Sequence, residues 1–123
     1  MSPISRSSAA RGRAGEAEAA SLLEAEGWTI LARNYRGPRG EIDIVAAKDG
    51  LVAFVEVKAW KDLGAWELER SIGPVKRRRI VETAKIFLAQ YRQYSNARAR
   101  FDIILLSDGR EARRIESAFT GEL

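Results

Sequence analysis

Apolar and polar positions along the chain follow two periods, one typical of helices and the other of strands. Between residues 14 and 26 apolar residues recur at helical spacing, and Gly27 is a typical helix stop. A second long helix is predicted over 74–93, because Pro74 suits a first helical turn and the apolar positions after it form one stripe. Residues 61–73 suggest a loop with a short helical piece. Strands are predicted over residues 28–35, 41–48, 51–58, 101–106 and 111–119.

The order helix, three strands, helix, two strands predicts an α/β fold in which a mixed sheet is flanked by helices. A chain of 123 residues is about one domain long. Residues 1–13 are rich in Ser, Arg, Pro and Gly and lack any period, which predicts a disordered tail before a single domain over 14–123. No segment has the pattern of a membrane span or a secretory signal, so we expect a cytoplasmic protein without a membrane partner.

The pair Asp49-Gly50 lies between two apolar-rich segments and predicts a two-residue hairpin turn. This turn sets the register of the two strands, whereas a loop of odd length would shift it by one residue. In the predicted register Asp43 lies opposite Glu56, and the four polar side chains that share one face are Glu41, Asp43, Glu56 and Lys58. The apolar side chains expected on the other face are Ile42, Ile44, Val55 and Val57.

Like charges directly across a sheet destabilise it, so Asp43 opposite Glu56 requires a positive charge nearby. The chain contains no cysteine and no histidine, which excludes thiolate zinc sites and histidine-dependent hydrolysis. The remaining oxygen ligands suit Mg²⁺ or Mn²⁺. Lys58 can reach the same patch, where it could orient an attacking water or stabilise charge on a phosphate. Glu16 lies along the buried stripe of the first helix and could add a further ligand.

The net charge of +4, from 21 basic and 17 acidic residues, is weak support for a nucleic-acid partner. The clustering of cations is better support, because clustered cations attract phosphate polymers. One cluster is the run at residues 76–79, and the other contains Arg33, Arg36 and Arg39. The predicted nucleic-acid contacts are Arg36, Arg39, Lys76, Arg77 and Arg79, with Glu41 and Trp60 in supporting positions.

Each of these features also has an ordinary structural interpretation. A cluster of carboxylates and lysines on a hairpin is usually a solvated face with cross-strand ion pairs. The basic run at 76–79 is also typical of an exposed first helical turn, although the helix dipole disfavours cations there. Trp60 and Trp66 could pack in a core rather than stack on bases. Glu16 could be a first-turn helix acid.

The segments GEIDIVA at residues 40–46 and FVEVK at residues 54–58 favour the functional interpretation over the structural one. They resemble the D…E-x-K core of the restriction-endonuclease-like superfamily. More closely, the chain resembles the YraN-like family of small bacterial proteins from Gly15 onward. The further segments that carry this resemblance are Gly15-Glu16 with Ala19, Asn34-Tyr35-Arg36, Lys76 and Phe101-Asp102.

The resemblance implies a nuclease-like αβββαβ core. It implies that Asp43 and Glu56 are the metal-binding acids and that Lys58 is the catalytic lysine. Glu16 matches a helix acid that archaeal Holliday-junction resolvases also use. The chain departs from the family at Trp60, where members commonly carry arginine, and this puts a phosphate contact in doubt or replaces it with a stacking surface.

Three hypotheses therefore stand at the level of sequence. The first is a nuclease dependent on Mg²⁺ or Mn²⁺ that hydrolyses phosphodiester bonds in structured or branched DNA, with DNA favoured over RNA. A homodimer is compatible with this hypothesis, because cutting both strands of DNA often needs two copies of a small nuclease. The pathway that the resemblance suggests is DNA repair or recombination. The second is a nucleic-acid-binding module that keeps the fold without turnover. The third is a structural adaptor whose charged hairpin face docks a protein.

Overall fold

The computed structural model describes residues 8–59, 72–106 and 112–119, and its elements occur in the predicted order. Within these ranges the α-helices are α1 (Ser8–Ala25) and α2 (Pro74–Gln90), and α2 is followed by a short 3-10 turn, Arg92–Tyr94. The α/β fold with a mixed sheet flanked by helices is confirmed. The five strands are β1 (Thr29–Arg36), β2 (Glu41–Lys48), β3 (Leu51–Ala59), β4 (Arg98–Leu106) and β5 (Arg113–Phe119).

The strands form one sheet in the order β1-β2-β3-β4-β5. Only β3 and β4 run parallel, and the other neighbours are antiparallel. A parallel pair needs a crossover connection, and α2 lies within the connection from β3 to β4. None of the described helices is long and apolar enough to cross a membrane.

In the part of the chain that the structure describes, one helix covers each face of the sheet, and the buried residues form two apolar clusters. The buried face of α1, with Ala19 and Leu23, packs with Ile44, Ala53 and Val55. The buried face of α2 packs on the opposite side of the same strands, and its cluster includes Val52, Phe54, Ile80, Ala84 and Phe87. Alternation along β3 therefore divides the core between the two helices.

Helix α1 begins at Ser8, whereas the sequence predicted a disordered tail through residue 13. Residues 8–13 are helical because Ala and Arg are good helix formers, and extending an existing helix costs much less than nucleating one. Helix α2 ends at Gln90 rather than near 93, and β4 begins at Arg98 rather than at 101. Residues 1–7 of the predicted tail, the predicted turn at 108–109 and residues 61–71 of the predicted loop over 61–73 lie outside the described residues.

The predicted hairpin register is confirmed from Lys48↔Leu51 to Ile44↔Val55. Both turn residues have positive φ, 50° for Asp49 and 76° for Gly50. These angles suit the primed two-residue turns, which glycine and aspartate favour. The backbone pairing of β2 with β3 ends at Ile44↔Val55, one residue before Asp43.

The assignment of Ile42 to the same face as Ile44 is wrong. Ile42 is buried in the α2-side cluster with Val45, whereas Ile44 is buried on the α1 side. Strict alternation fails here because the β2–β3 ladder has ended and the neighbouring strand β1 departs from extended backbone geometry at one residue. Asn34, which is level with Asp43 in β1, has a φ of 53°, a conformation that asparagine tolerates better than most residues.

Candidate functional site

Asp43 and Glu56 approach each other where β2 separates from β3. The backbone N–H of Val57 donates a 2.8 Å hydrogen bond to Oδ2 of Asp43. In a continued ladder this N–H would donate to a backbone carbonyl of β2, and here the Asp43 side chain takes the place of that carbonyl. Glu56 is only 8% exposed, because β3 is covered here by α2 and paired with β4 at Ile103. The predicted convergence of Asp43 and Glu56 is therefore present, through their side chains rather than through direct backbone pairing.

Burial and the charge of Glu56 raise the pKa of Asp43 from 3.8 to about 7. The charge of Glu16 contributes to this rise in pKa, and the hydrogen bond from the Val57 N–H opposes it. A carboxyl group with this pKa favours a proton or another positive charge close by. The pair is therefore a site of concentrated negative potential.

Lys76, in the first turn of α2, supplies a positive charge to this site. Its Nζ atom lies 2.6 Å from Oε1 of Glu56. Burial lowers the pKa of Lys76, but the hydrogen bond and the charge of Glu56 outweigh burial and raise it overall. The sequence predicted Lys76 as a nucleic-acid contact and gave no sign of this ion pair, because the pairing depends on where α2 packs.

Lys58 is half-buried on β3 next to these groups. Burial and the positive charge of Lys76 lower its pKa, while Glu56 and Asp43 act in the opposite direction. A lysine with a lowered pKa gives up a proton more readily than an exposed one. The predicted proximity of Lys58 to the acidic pair is thus present.

Glu16 approaches the site from α1, on the other side of the sheet from α2. It is half-buried whereas Glu18 is exposed, as the helical spacing predicted. Its Oε2 atom is buried and has no hydrogen-bond partner among the described residues. A buried carboxylate oxygen without a partner is costly, so the site is incomplete without a proton, a water or a cation there.

A cavity of about 510 Å³ opens beside the acidic pair. The first turn of α2 forms part of the cavity wall. The N-cap residue of this helix is Gly73, so no side chain caps the first N–H groups. The first N–H groups of a helix have no intrahelical acceptor, so this wall suits an anion. The charged residues that line the cavity are Arg39, Glu41, Asp43, Glu56, Lys76 and Arg79.

Some predicted contacts lie elsewhere. Arg36 forms an exposed ion pair with Glu41 at 3.2 Å, so Glu41 faces Arg36 rather than Lys58. The Nε atom of Arg77 donates to the carbonyl of Ile72 at 2.9 Å, and its guanidinium lies over Phe119. Neither arginine lines the cavity beside the acidic pair, and their assignment as nucleic-acid contacts stays a prediction. Trp60 lies outside the described residues.

Asp102 is a second buried acid, and its contacts are structural. It is 1% exposed and accepts hydrogen bonds from the guanidinium of Arg100 and the backbone N–H of Ser117. Ser117 has a φ of 50° and lies at the irregularity in the β4–β5 ladder. The carboxylate therefore fixes the irregular end of β5.

Within the ranges 8–59, 72–106 and 112–119, no three acidic side chains are already arranged as a metal cage. The Asp43–Glu56 pair, with the Glu16 oxygen lacking a partner, is the cluster in these ranges with the greatest need for a cation. Its present positive partner is Lys76.

Comparisons with known proteins place the chain in a family. The profile of the uncharacterised protein family UPF0102 matches residues 15–106. A UPF0102 protein of Granulibacter bethesdensis is 44% identical over 108 residues, which cover 88% of this chain and 67% of that protein. A UPF0102 protein of Treponema pallidum is 46% identical over 95 residues, 77% of this chain and 75% of that one.

A solved structure has a similar fold. It is Hjc of Archaeoglobus fulgidus, described as a Holliday junction resolvase, with a TM-score of 0.52 and 21% identity over 87% of this chain and 73% of that one. The likeness confirms the αβββαβ fold that the family resemblance implied.

Proposed function

We propose that this chain, which belongs to the uncharacterised protein family UPF0102, is a metal-dependent nuclease that hydrolyses phosphodiester bonds in branched DNA. The observation that supports this best is the placement of Asp43 beside Glu56 at the point where two strands separate, with Lys58 and Lys76 close by. The two acids, Lys76 and two arginines line one cavity, which suits the chemistry of phosphate esters.

The residues present fit a hard divalent cation. Asp43 and Glu56 supply oxygen ligands, and the buried Glu16 oxygen without a partner is suited to a third, direct or through water. When bound, Mg²⁺ or Mn²⁺ would polarise a phosphate oxygen and acidify a water. The absence of histidine and cysteine favours these two metals over zinc.

The cations have distinct roles in the proposal. Lys58 is the catalytic lysine, and its lowered pKa suits a group that orients the attacking water and exchanges a proton with it. Arg39 and Arg79 line the same cavity and bind the backbone phosphates on either side of the cleaved bond. The N-terminal turn of α2 adds backbone N–H groups to this phosphate surface.

Branched DNA is proposed as substrate on two grounds. The similar fold of Hjc, a Holliday junction resolvase, is one of them. The other is that the described cavity offers arginines and helix N–H groups that can bind phosphates. Such contacts recognise the shape of the DNA backbone rather than the base sequence. Two copies of the chain would be needed to cut two strands symmetrically, so we include a homodimer in the proposal.

The experiment that tests the proposal is cleavage of a labelled panel with Mg²⁺, with Mn²⁺ and with a chelator. The panel contains single-stranded, duplex, flap and four-way-junction DNA, with an RNA duplex for comparison. We expect cutting of the junction and flap that requires a metal. No cutting of any substrate at either metal would contradict the proposal.

A second candidate function is a nucleic-acid-binding module that has the nuclease fold but no turnover. It is favoured by the ion pair of Lys76 with Glu56, because a carboxylate neutralised by lysine needs no metal. This candidate predicts binding that weakens steeply with salt and is unchanged by a chelator.

A further inference from the structure

We infer that Lys76 is an internal substitute for the metal: its ammonium occupies the Asp43–Glu56 pair in the metal-free protein and leaves when a divalent cation binds. This inference rests on the proposed metal site and adds a regulatory step to it. The ion pair would preserve the shape of the acidic pair until metal arrives, and its release would deliver Lys76 to the phosphate surface.

The position of Lys76 in its helix is unfavourable without Glu56. A cation in the first turn of a helix opposes the helix dipole, and the first turn of α2 contains no acidic residue. The contact with Glu56 at 2.6 Å is what stabilises the lysine there. The pairing is therefore a property of the site and not of the helix.

The two partners differ in their freedom to move. The side chain of Glu56 is 9% exposed, whereas that of Lys76 is 44% exposed. The ammonium thus reaches the acid from the cavity side on a flexible four-carbon chain and can swing back towards solvent. Glu56 is fixed in a paired strand and cannot follow it.

Charge repulsion gives the direction of the exchange. Lys58 and Lys76 already lie close enough that each affects the other's pKa. A divalent cation between Asp43 and Glu56 would bring a third positive group against them, in a partly buried site where screening is weak. Lys76 is the group with an open path to solvent and would be displaced. It would then lie on the cavity wall with Arg79, where a DNA phosphate binds.

The test compares Lys76→Gln with Arg78→Gln, which removes the same charge from an exposed position of α2. Mn²⁺ affinity is measured by isothermal titration calorimetry without DNA, and Tm is measured in chelator. We expect Lys76→Gln to bind Mn²⁺ about tenfold more tightly than wild type, equivalent to ~1.4 kcal/mol. We also expect its metal-free Tm to fall by about 4 °C, since the acidic pair has lost its cation. Arg78→Gln changes neither quantity.

Lys76→Arg serves as a second variant that retains the charge, and it is expected to bind Mn²⁺ no more tightly than wild type. Equal or weaker Mn²⁺ binding by Lys76→Gln would overturn the inference, and so would the absence of Mn²⁺ binding by all four proteins. The cleavage panel is read separately. If the order of affinities holds but no substrate is cut, the exchange stands and the nuclease proposal fails.

Discussion

The backbone N–H of Val57 donates its hydrogen bond to the carboxylate of Asp43 rather than to a carbonyl of β2. The hydrogen bond fixes the Asp43 side chain between two separating strands and aims it at Glu56. A hairpin that continued as a regular ladder would hold both acids on one face but would leave no gap between the strands. The end of the β2–β3 pairing therefore creates the site.

Removing the Asp43 charge should stabilise the metal-free protein in a pH-dependent way. The folded pKa of about 7 lies above the ordinary 3.8, so the unfolded chain releases this proton first as pH rises. The Asp43 contribution to stability is therefore neutral below about pH 4, becomes unfavourable between about pH 4 and 7, and stays so above. We expect Asp43→Asn to exceed wild type by on the order of 1–3 kcal/mol at pH 8 and to match it at pH 4.

Urea unfolding in chelator at several pH values measures this difference. Asp49→Asn is the matched control, because Asp49 lies in the exposed turn and asparagine tolerates its positive φ. An Asp43→Asn advantage that did not change with pH would show that Asp43 is not held at a raised pKa.

Loss of Lys58 should reduce cleavage without weakening metal binding. Lys58→Met removes the group proposed to position the water, so we expect the single-turnover rate to fall by about 10²–10³-fold. Mn²⁺ affinity should not fall below the wild-type value, and Lys85→Met, at an exposed position of α2, should leave the rate unchanged. A parallel loss of Mn²⁺ affinity in Lys58→Met would assign the lysine to the structure of the site instead.

Arg79 should contribute one phosphate contact to DNA binding. Arg79→Gln is expected to weaken binding of every DNA shape to a similar extent and to lower the slope of log affinity against log salt by about 1. Fluorescence anisotropy in chelator at several salt concentrations measures this. Arg92→Gln is the control, because Arg92 is exposed on the turn after α2. Equal slopes for wild type and Arg79→Gln would exclude Arg79 from the interface.

Asp102 should matter for stability and not for cleavage. Asp102→Asn leaves the partly buried Arg100 without its carboxylate, and we expect a loss of about 3 kcal/mol in the free energy of unfolding. Glu116→Gln removes only a half-exposed partner of the same arginine and should cost under about 1 kcal/mol. A stable Asp102→Asn protein with no cleavage would instead place Asp102 in the chemistry.

Local turn chemistry made the hairpin predictable from sequence. Asp49-Gly50 determines the turn, the turn determines the register, and the register brings Asp43 and Glu56 together. The separation of the strands beyond Ile44 could not be predicted in this way. Alternation assumes a continuous ladder, whereas the positive φ of Asn34 and the Val57 hydrogen bond depend on the assembled sheet.

Contacts between distant segments were the other part that sequence did not specify. Lys76 and Arg77 are neighbours in the same basic run, yet Lys76 binds Glu56 while Arg77 lies over Phe119. The directions of these two side chains follow from how α2 packs on the sheet, and the local sequence pattern does not determine that packing. The direction of Glu16 could be predicted, because helical spacing alone relates this residue to the buried stripe of its own helix.

The most direct test of the central claim is the single-turnover cleavage of a four-way junction in Mn²⁺ by wild type, Asp43→Asn and Asp49→Asn. The two variants carry the same chemical change, one at the acidic pair and the other in the hairpin turn. We predict metal-dependent cutting by wild type and Asp49→Asn, and a rate lower by more than about 100-fold for Asp43→Asn. Equal rates for the two variants, with both proteins folded, would contradict a nuclease site at Asp43 and Glu56.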